Sequence, residues 1–535
     1  MEPGLKLSAG IQTFERLIDE NCIYVDKTKH LVEMIDNGSA YFLSRPRRFG
    51  KSLTVTTFDA LFSGNKNLFK GLYAEEFLNR PDFKPSPVIS LDMSMINTSQ
   101  GIDILTESIK QITLEMADRL KVEIPQNLSY SDTFRNLIEN TAKKYSTKVV
   151  VLVDEYDNPF TDFIDNPEMA EKVRNLLRNY YKQIKAKEKY IKFIFITGIS
   201  KFTKMGVFST LNNLVDISLR DEYITLCGYT EEEIIKYFPD YLEAIANKFK
   251  ISIDELIERM RKFYNGFSFN GVTKLYNPFS TLEFLGEKNF FSFWIDTGST
   301  SMIAKYLKTQ KVTVEEFRGL QVSLDFAKSP GEIEKTPPQG FLYQAGYLSL
   351  RKDENDNYFL DYPNTEVLNS MSRLLTENIF NDDANFYQTS VINAITNKNA
   401  EKLIKALNGL LANIPYDDYT KSAERYIEYH DCKIPAHEWL YRSTMLAFFR
   451  GCGMSAIGEF QTNLGRPDLL VSYKNSTWIM EIKVAYKGDS PHEKLEEALQ
   501  QIKDKNYATP FPEAVCITMA IEDEKRQIME WRIES

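Results

Sequence analysis

A strand that runs straight into Gly-Lys-Ser and then into a helix admits few folds. Tyr41-Phe42-Leu43-Ser44 is β-favouring, Arg45-Pro46-Arg47-Arg48-Phe49 turns the chain, and Gly50-Lys51-Ser52 opens an amphipathic stretch from Leu53 to Phe62. A helix N-terminus offers unpaired backbone N–H groups to an anion. In this layout, the Walker A loop, a lysine reaches the β- and γ-phosphates and a hydroxyl meets magnesium. Arg47, Arg48, Gly50, Lys51 and Ser52 are therefore candidate nucleotide-binding residues, with Ser52 also a metal ligand. One position departs from G-x-x-x-x-G-K-[ST]: Arg45 stands where the first glycine falls.

Such a loop needs a buried strand ending in acid. Val149-Val150-Val151-Leu152-Val153 supplies the strand and Asp154-Glu155 the acid, a Walker B pattern. A run of β-favouring apolar residues reads as a strand covered on both faces. Asp154 would hold hydrated Mg²⁺ and Glu155 would polarise an attacking water. A core strand followed by an acidic turn is the plainer reading of that run alone.

Further strands at Val88–Asp92 and Ile191–Ile196 alternate with helical stretches at 101–120, 131–145 and 167–189. Alternation of this kind predicts a parallel sheet with helices on both faces. Thr197, ending the last strand, would stand near the γ-phosphate as a sensor or merely cap a turn. The order matches ATPases that carry a catalytic Glu beside the magnesium Asp, and residues 1–226 are read as this domain.

From residue 227 the pattern changes. Thr230 with Glu233 three residues on is a capping box, and short helices lead to the turn-rich stretch ending in Tyr276-Asn277-Pro278-Phe279. Residues 227–380 read as a helical, winged-helix-like lid followed by a mixed region, and 381–430 as a helical connector.

Residues 431–535 form another α/β unit. In Trp478-Ile479-Met480-Glu481-Ile482-Lys483-Val484, strand periodicity puts Trp478, Met480, Ile482 and Val484 on one face and Ile479, Glu481 and Lys483 on the other. Charges on an apolar strand are costly unless paired or used. Arg466-Pro467-Asp468 brings a second acid to the start of the preceding strand, with Lys474-Asn475-Ser476 as the turn. Asp468, Glu481 and the Ile482 carbonyl would bind Mg²⁺, or Mn²⁺, and Lys483 would orient water and offset charge in phosphodiester hydrolysis. Glu438 would add a carboxylate, and Gln501 and Tyr507 would project from a covering helix. The plainer reading is a surface hairpin with an ordinary ion pair. His430, His437 and His492 lack metal-ligand spacing and are read as surface or structural residues.

Charge limits the partners. The chain carries −10 at neutral pH with a pI near 5.3, so any nucleic-acid contact is a local patch. Residues 431–535 hold 13 Lys and Arg against 16 Asp and Glu. Five scattered cysteines without C-x-x-C spacing argue for a reducing compartment and against a zinc site. No basic-then-apolar leader and no bilayer-length apolar run is seen, which predicts a cytoplasmic protein without membrane contact.

With both constellations in view, the chain resembles prokaryotic AAA-ATPase-like proteins fused to a C-terminal PD-(D/E)XK nuclease-superfamily domain. The resemblance rests on Tyr24-Val25-Asp26-Lys27-Thr28, Arg45-Pro46-Arg47-Arg48-Phe49-Gly50-Lys51-Ser52, Val153-Asp154-Glu155-Tyr156-Asp157, Tyr276-Asn277-Pro278-Phe279, Gly465-Arg466-Pro467-Asp468 and Glu481-Ile482-Lys483. It implies an ATP-binding AAA-like parallel sheet, a helical middle and a restriction-endonuclease-like C-terminal α/β domain. It also implies that Arg45 belongs to the group's loop. The expected activity is an ATPase whose nucleotide state gates binding or cleavage of nucleic acid, DNA before RNA. The alternative is a nucleotide-dependent switch or scaffold whose nuclease-like domain binds without cutting. A homo-oligomer is left open.

Overall fold

The computed structural model describes residues 5–98, 101–163, 166–199, 201, 207–208, 211, 213–294, 303, 317–323, 326, 338–380, 384–412, 414, 426–429, 432–459, 465–505, 507, 509 and 511–534. It divides into two compact units, one of Met1–Tyr306 with Gly319–Val367 and one of Leu307–Arg318 with Leu368–Ser535. The last boundary between them follows Val367, within the stretch read above as the mixed region. Most of residues 300–337, the first part of the mixed stretch expected over 300–380, and His430 lie outside the described residues.

In the first unit, β1 (Ala40–Ser44), β2 (Val88–Asp92), β3 (Val149–Asp154), β4 (Ile191–Gly198) and β5 (Val215–Asp216) pair in parallel in the order β2-β3-β4-β1-β5. β4 thus lies between the strand that feeds Gly50-Lys51-Ser52 and the strand that ends in Asp154. Both strands run the same way, so the loop and the acids emerge at one edge of the sheet. The side-chain period of two then assigns faces. Phe193 and Phe195 pack against Phe58 of the helix Lys51–Ser63. Phe42 meets Tyr156, which packs with Phe208 against Tyr181 of the helix Pro167–Ala186 on the opposite face.

Beyond the sheet come the helices Glu231–Tyr237, Pro239–Phe249, Ile253–Tyr264 and Pro278–Glu287, which share one apolar core. The capping box at Thr230 and Glu233 is present. Asp26 accepts hydrogen bonds from the Thr28 and Tyr73 amides, and Lys27 pairs with Glu233. The Tyr24-to-Thr28 stretch therefore fastens the sheet domain to these helices. β6 (Leu320–Val322), β7 (Ser349–Lys352) and β8 (Tyr358–Asp361) form a small antiparallel sheet in the order β6-β8-β7.

Glu366 closes this unit. One of its oxygens accepts from the Phe293 and Trp294 amides at 2.8 and 3.1 Å. Burial pushes its carboxyl up to about 8, against the pull of Ser280 and those amides. In an unfolded chain glutamate titrates near pH 4.3. Between roughly pH 4.3 and 8 unfolding therefore releases a proton, and the native state loses ground as pH rises. Glu366→Gln is expected to be a few kcal/mol more stable than the parent at pH 8.5 and no more stable near pH 4. Denaturant midpoints at the two pH values check this, and an equal difference at both refutes it.

In the second unit, β9 (Tyr426–Tyr429) and β10 (Cys432–Pro435) pair as an antiparallel ribbon. β11 (Ser455–Gly458), β12 (Leu469–Tyr473), β13 (Ser476–Ala485), β14 (Val515–Glu522) and β15 (Gln527–Glu534) form a sheet in chain order. Only β13 and β14 are parallel, joined by the helix Pro491–Lys505. Trp478, Met480, Ile482 and Val484 point into the main core with the helix Ala436–Gly451. Ile479 points to the other face, beside Ile502 and Tyr507. The expected connector is instead part of this unit. The helices Ala384–Thr396 and Ala400–Ala412 place Val391, Leu403, Leu407 and Leu410 in the same core, because apolar residues at helical spacing need a surface to cover.

Candidate functional sites

The end of β1 turns through Arg48 and Gly50, both at positive φ (61° and 96°), into the helix at Lys51. Lys51 is 3% exposed. Its Nζ donates to the Pro46 carbonyl at 3.1 Å and pairs with Glu155 Oε1 at 3.2 Å. β3 presents Asp154, and burial, then the charge of Glu155, pushes its carboxyl up to about 7 while a Ser52 hydrogen bond and Lys51 oppose the rise. Glu155 itself adopts φ 50°. That turn needs Gly198 beside it: a Cβ there would lie 2.3 Å from Asp157 Oδ1 and 2.5 Å from the Tyr156 ring.

These residues line a cavity of about 340 Å³. Arg47, Arg48, Gly50, Lys51, Ser52, Asp154 and Glu155 all reach it, as do Asp92 and Asn158. Its other walls are Ser8, Gly10, Ile11 and Gln12 from the N-terminal stretch, Tyr229, and Pro278, Phe279 and Leu282. Asn277 caps the Pro278 helix by accepting from the Ser280 amide at 3.0 Å. That cap aims Phe279 at the loop, where the Arg48 guanidinium lies 4.8 Å from the ring centre. Gly228 lets the next segment close in, since a Cβ would sit 2.6 Å from Phe49. These walls were not picked out from the sequence, although Asn-Pro at a helix start is a readable signal.

Thr197 does not join them. It is fully buried and its hydroxyl donates to the Leu43 carbonyl at 2.9 Å, so it ties β4 to β1 and the sensor role expected of it has no geometric basis. Arg45 also points elsewhere. Its Nη1 donates to the Ser44 and Ser218 carbonyls, which leaves the turn backbone facing the cavity without the first glycine.

In the second unit, Asp468 stands just before β12 and Glu481 on β13. Asp468 Oδ2 accepts from the Ile482 amide at 2.7 Å, and Oδ1 pairs with Arg442 at 3.1 Å. Ile482 thus turns its backbone toward the acid, by its N–H. Glu481 is fully buried, and neither of its oxygens has a hydrogen-bond partner. Burial, then the charge of Asp468, holds its carboxyl well above the usual range. Lys483 Nζ is 3.5 Å from Glu481. Burial lowers Lys483, but Asp468, Glu481 and Glu438 outweigh it and keep the ammonium charged. Glu438 is raised by burial and by Asp468.

Arg442, four residues beyond Glu438 on the same helix, was missed from sequence; the i, i+4 spacing could have flagged it. It also pairs with Glu459 at 3.0 Å. Gln501 is one step removed, donating to Tyr507 OH at 3.2 Å, and Tyr507 donates to the Arg466 carbonyl. His437 is buried, not at the surface, with Nδ1 2.8 Å from Asp523.

A buried carboxyl beside a second acid is a donor set that fits a cation. Among the described residues, no three His, Cys, Asp or Glu side chains are placed as a metal cage. Among the described residues, no helix is long and apolar enough to cross a membrane.

Comparison with known proteins places both sites in context. Residues 8–208 match the family described as predicted AAA-ATPase, and residues 436–531 match one in the PD-(D/E)XK nuclease superfamily. A protein of Azotobacter chroococcum mcd 1, titled "Uncharacterized protein in vnfD 5'region", is 31% identical over 513 residues, covering 95% of this chain and 93% of its own length. Among solved structures, the Aeropyrum pernix ORC1 protein in complex with DNA aligns with 65% of this chain and 91% of its own at 10% identity and a TM-score of 0.26. Cdc6p from Pyrobaculum aerophilum aligns with 65% and 92% at 12% identity and a TM-score of 0.25. Those two likenesses are too slight to bear on function.

Proposed function

Because the chain belongs to the family of that Azotobacter protein, with an AAA-ATPase-like domain followed by a PD-(D/E)XK nuclease-superfamily domain, we propose that it binds and hydrolyses ATP and cuts nucleic acid in a metal-dependent way, with nucleotide state gating the cut. The observation that carries the nuclease half is the Glu481 carboxyl, fully buried beside Asp468 with the Lys483 ammonium 3.5 Å away.

Divalent cations would supply charge neutralisation of the nucleotide at Ser52 and Asp154 and a Lewis acid for phosphodiester cleavage at Asp468 and Glu481. The chain's own residues supply the rest. Lys51 holds phosphate oxygens, the loop amides cradle them, and Glu155 orients water once phosphate has taken its place beside Lys51. In the second unit the Ile482 amide and Arg442 fix the Asp468 carboxylate. Lys483 holds the attacking water and offsets negative charge on the phosphorus centre. Gln501 and Tyr507 support the Arg466 backbone rather than touch substrate.

The experiment is incubation of the full chain with single- and double-stranded DNA and RNA, with Mg²⁺ or Mn²⁺, with and without ATP. Cleavage that needs metal and changes with ATP is the expected result, strongest on DNA. Tight metal and nucleotide binding with no cutting of any substrate would favour the switch or scaffold reading, which the acidic balance of residues 431–535 supports.

A further inference from the structure

Beside the phosphate loop lies another, much smaller cavity of about 20 Å³, bounded by Ser44, Arg45, Lys201, Ser218, Phe269 and Gln344 among others. It has room for a single water-sized species. Arg45 is 1% exposed, and its guanidinium lies 4.0 Å from the Phe269 ring centre. Among the described residues, its Nε and Nη2 have no hydrogen-bond partner, and neither has Gln344 Nε2. The Gln344 amide cannot be turned round to cure this, because its Oε1 accepts from the Lys201 amide. Every unsatisfied group around this cavity is therefore a donor.

Charge points the same way. Asp216 is the nearby acid, and it pairs with Lys201 at 3.5 Å and accepts from the Ser218 amide. That leaves Arg45 as a buried positive charge with no carboxylate bonded to it among the described residues. Burial pushes its guanidinium below its ordinary range, and Cys227, Tyr343 and the charge of Asp216 do not make up the loss. Such a charge is costly unless an opposite charge meets it. Water is a poor fit, because it brings two protons of its own. The Ser44 and Ser218 carbonyls already accept from Arg45 Nη1 at 2.9 and 2.7 Å.

We propose that this cavity is a binding site for a small monovalent anion of the halide class, chloride in particular, held by Arg45 and the Gln344 amide. The ion would brace the backbone that runs from Arg45 into Pro46, the residue whose carbonyl receives Lys51. It also gives Arg45, at the position of the missing loop glycine, a purpose separate from the nucleotide.

The test uses the full chain at fixed ionic strength, exchanging gluconate, which is too large for the cavity, for chloride. A saturable rise in melting temperature, on the order of a few degrees, is expected as chloride replaces gluconate. Gln344→Glu puts a carboxylate where the ion would sit. It is expected to melt no lower than the parent in gluconate and to lose the chloride response. A crystal soaked in bromide should show an anomalous peak between Arg45 and Gln344, and this holds whether or not the variant folds. No chloride response in the parent, an undiminished response in Gln344→Glu, or no bromide peak would each overturn the proposal.

Discussion

Lys51→Ala is expected to weaken ATP binding by about two orders of magnitude, read by calorimetric titration of the full chain. The lysine is buried, anchored on the Pro46 carbonyl, and paired with Glu155. Charge-assisted hydrogen bonds of this kind are worth about 1.5–3 kcal/mol, and each 1.4 kcal/mol is about tenfold in affinity. Removing it also leaves Asp154 and Glu155 facing each other with less compensation, so the protein without nucleotide should lose stability too. An unchanged ATP affinity would mean that the 340 Å³ cavity is not where the nucleotide sits.

Glu481→Gln should move stability and activity in opposite directions. The carboxylate costs free energy in the metal-free protein because it is fully buried beside Asp468, with the Lys483 ammonium no closer than 3.5 Å to offset it. Replacing it with a neutral amide is expected to stabilise that form by on the order of 1–3 kcal/mol. The same change removes the charge that would hold the cation, so Mn²⁺ binding followed by electron spin resonance should weaken at least tenfold, and cleavage should fall by about 10²–10³-fold. A merely structural role predicts the reverse sign for stability: a variant less stable than the parent, with metal affinity kept. That pairing of results would remove Glu481 from the site.

Much of this architecture can be read in the chain before folding is considered. The apolar runs at Tyr41–Leu43 and Val149–Val153, each ending in chemistry, specify a parallel sheet with both ends of the site on one edge. The alternation in Trp478–Val484 specifies which face carries Glu481 and Lys483. What stayed hidden depends on distance along the chain. Ser8, Tyr229 and Phe279 meet only because the domain folds back on itself, and nothing local marks Ser8 or Tyr229 as cavity walls. Thr197 illustrates the opposite failure. Its residue type and position suit a phosphate contact, but the Leu43 carbonyl on the neighbouring strand claims its hydroxyl. Arg442 was hidden by its type, since an arginine among acids looks like ordinary surface charge until burial makes it a partner for Asp468 and Glu459.

The walls of the larger cavity come from residues 8–12, the phosphate loop, Tyr229 and residues 278–282. Whatever fills it becomes a noncovalent rivet through parts of the polypeptide that the peptide bond leaves far apart. A ligand that binds only the assembled form raises the free energy of taking it apart. The grip of those distant stretches on one another is then set by the supply of the ligand. In a starved cell the same covalent chain would be held together less firmly.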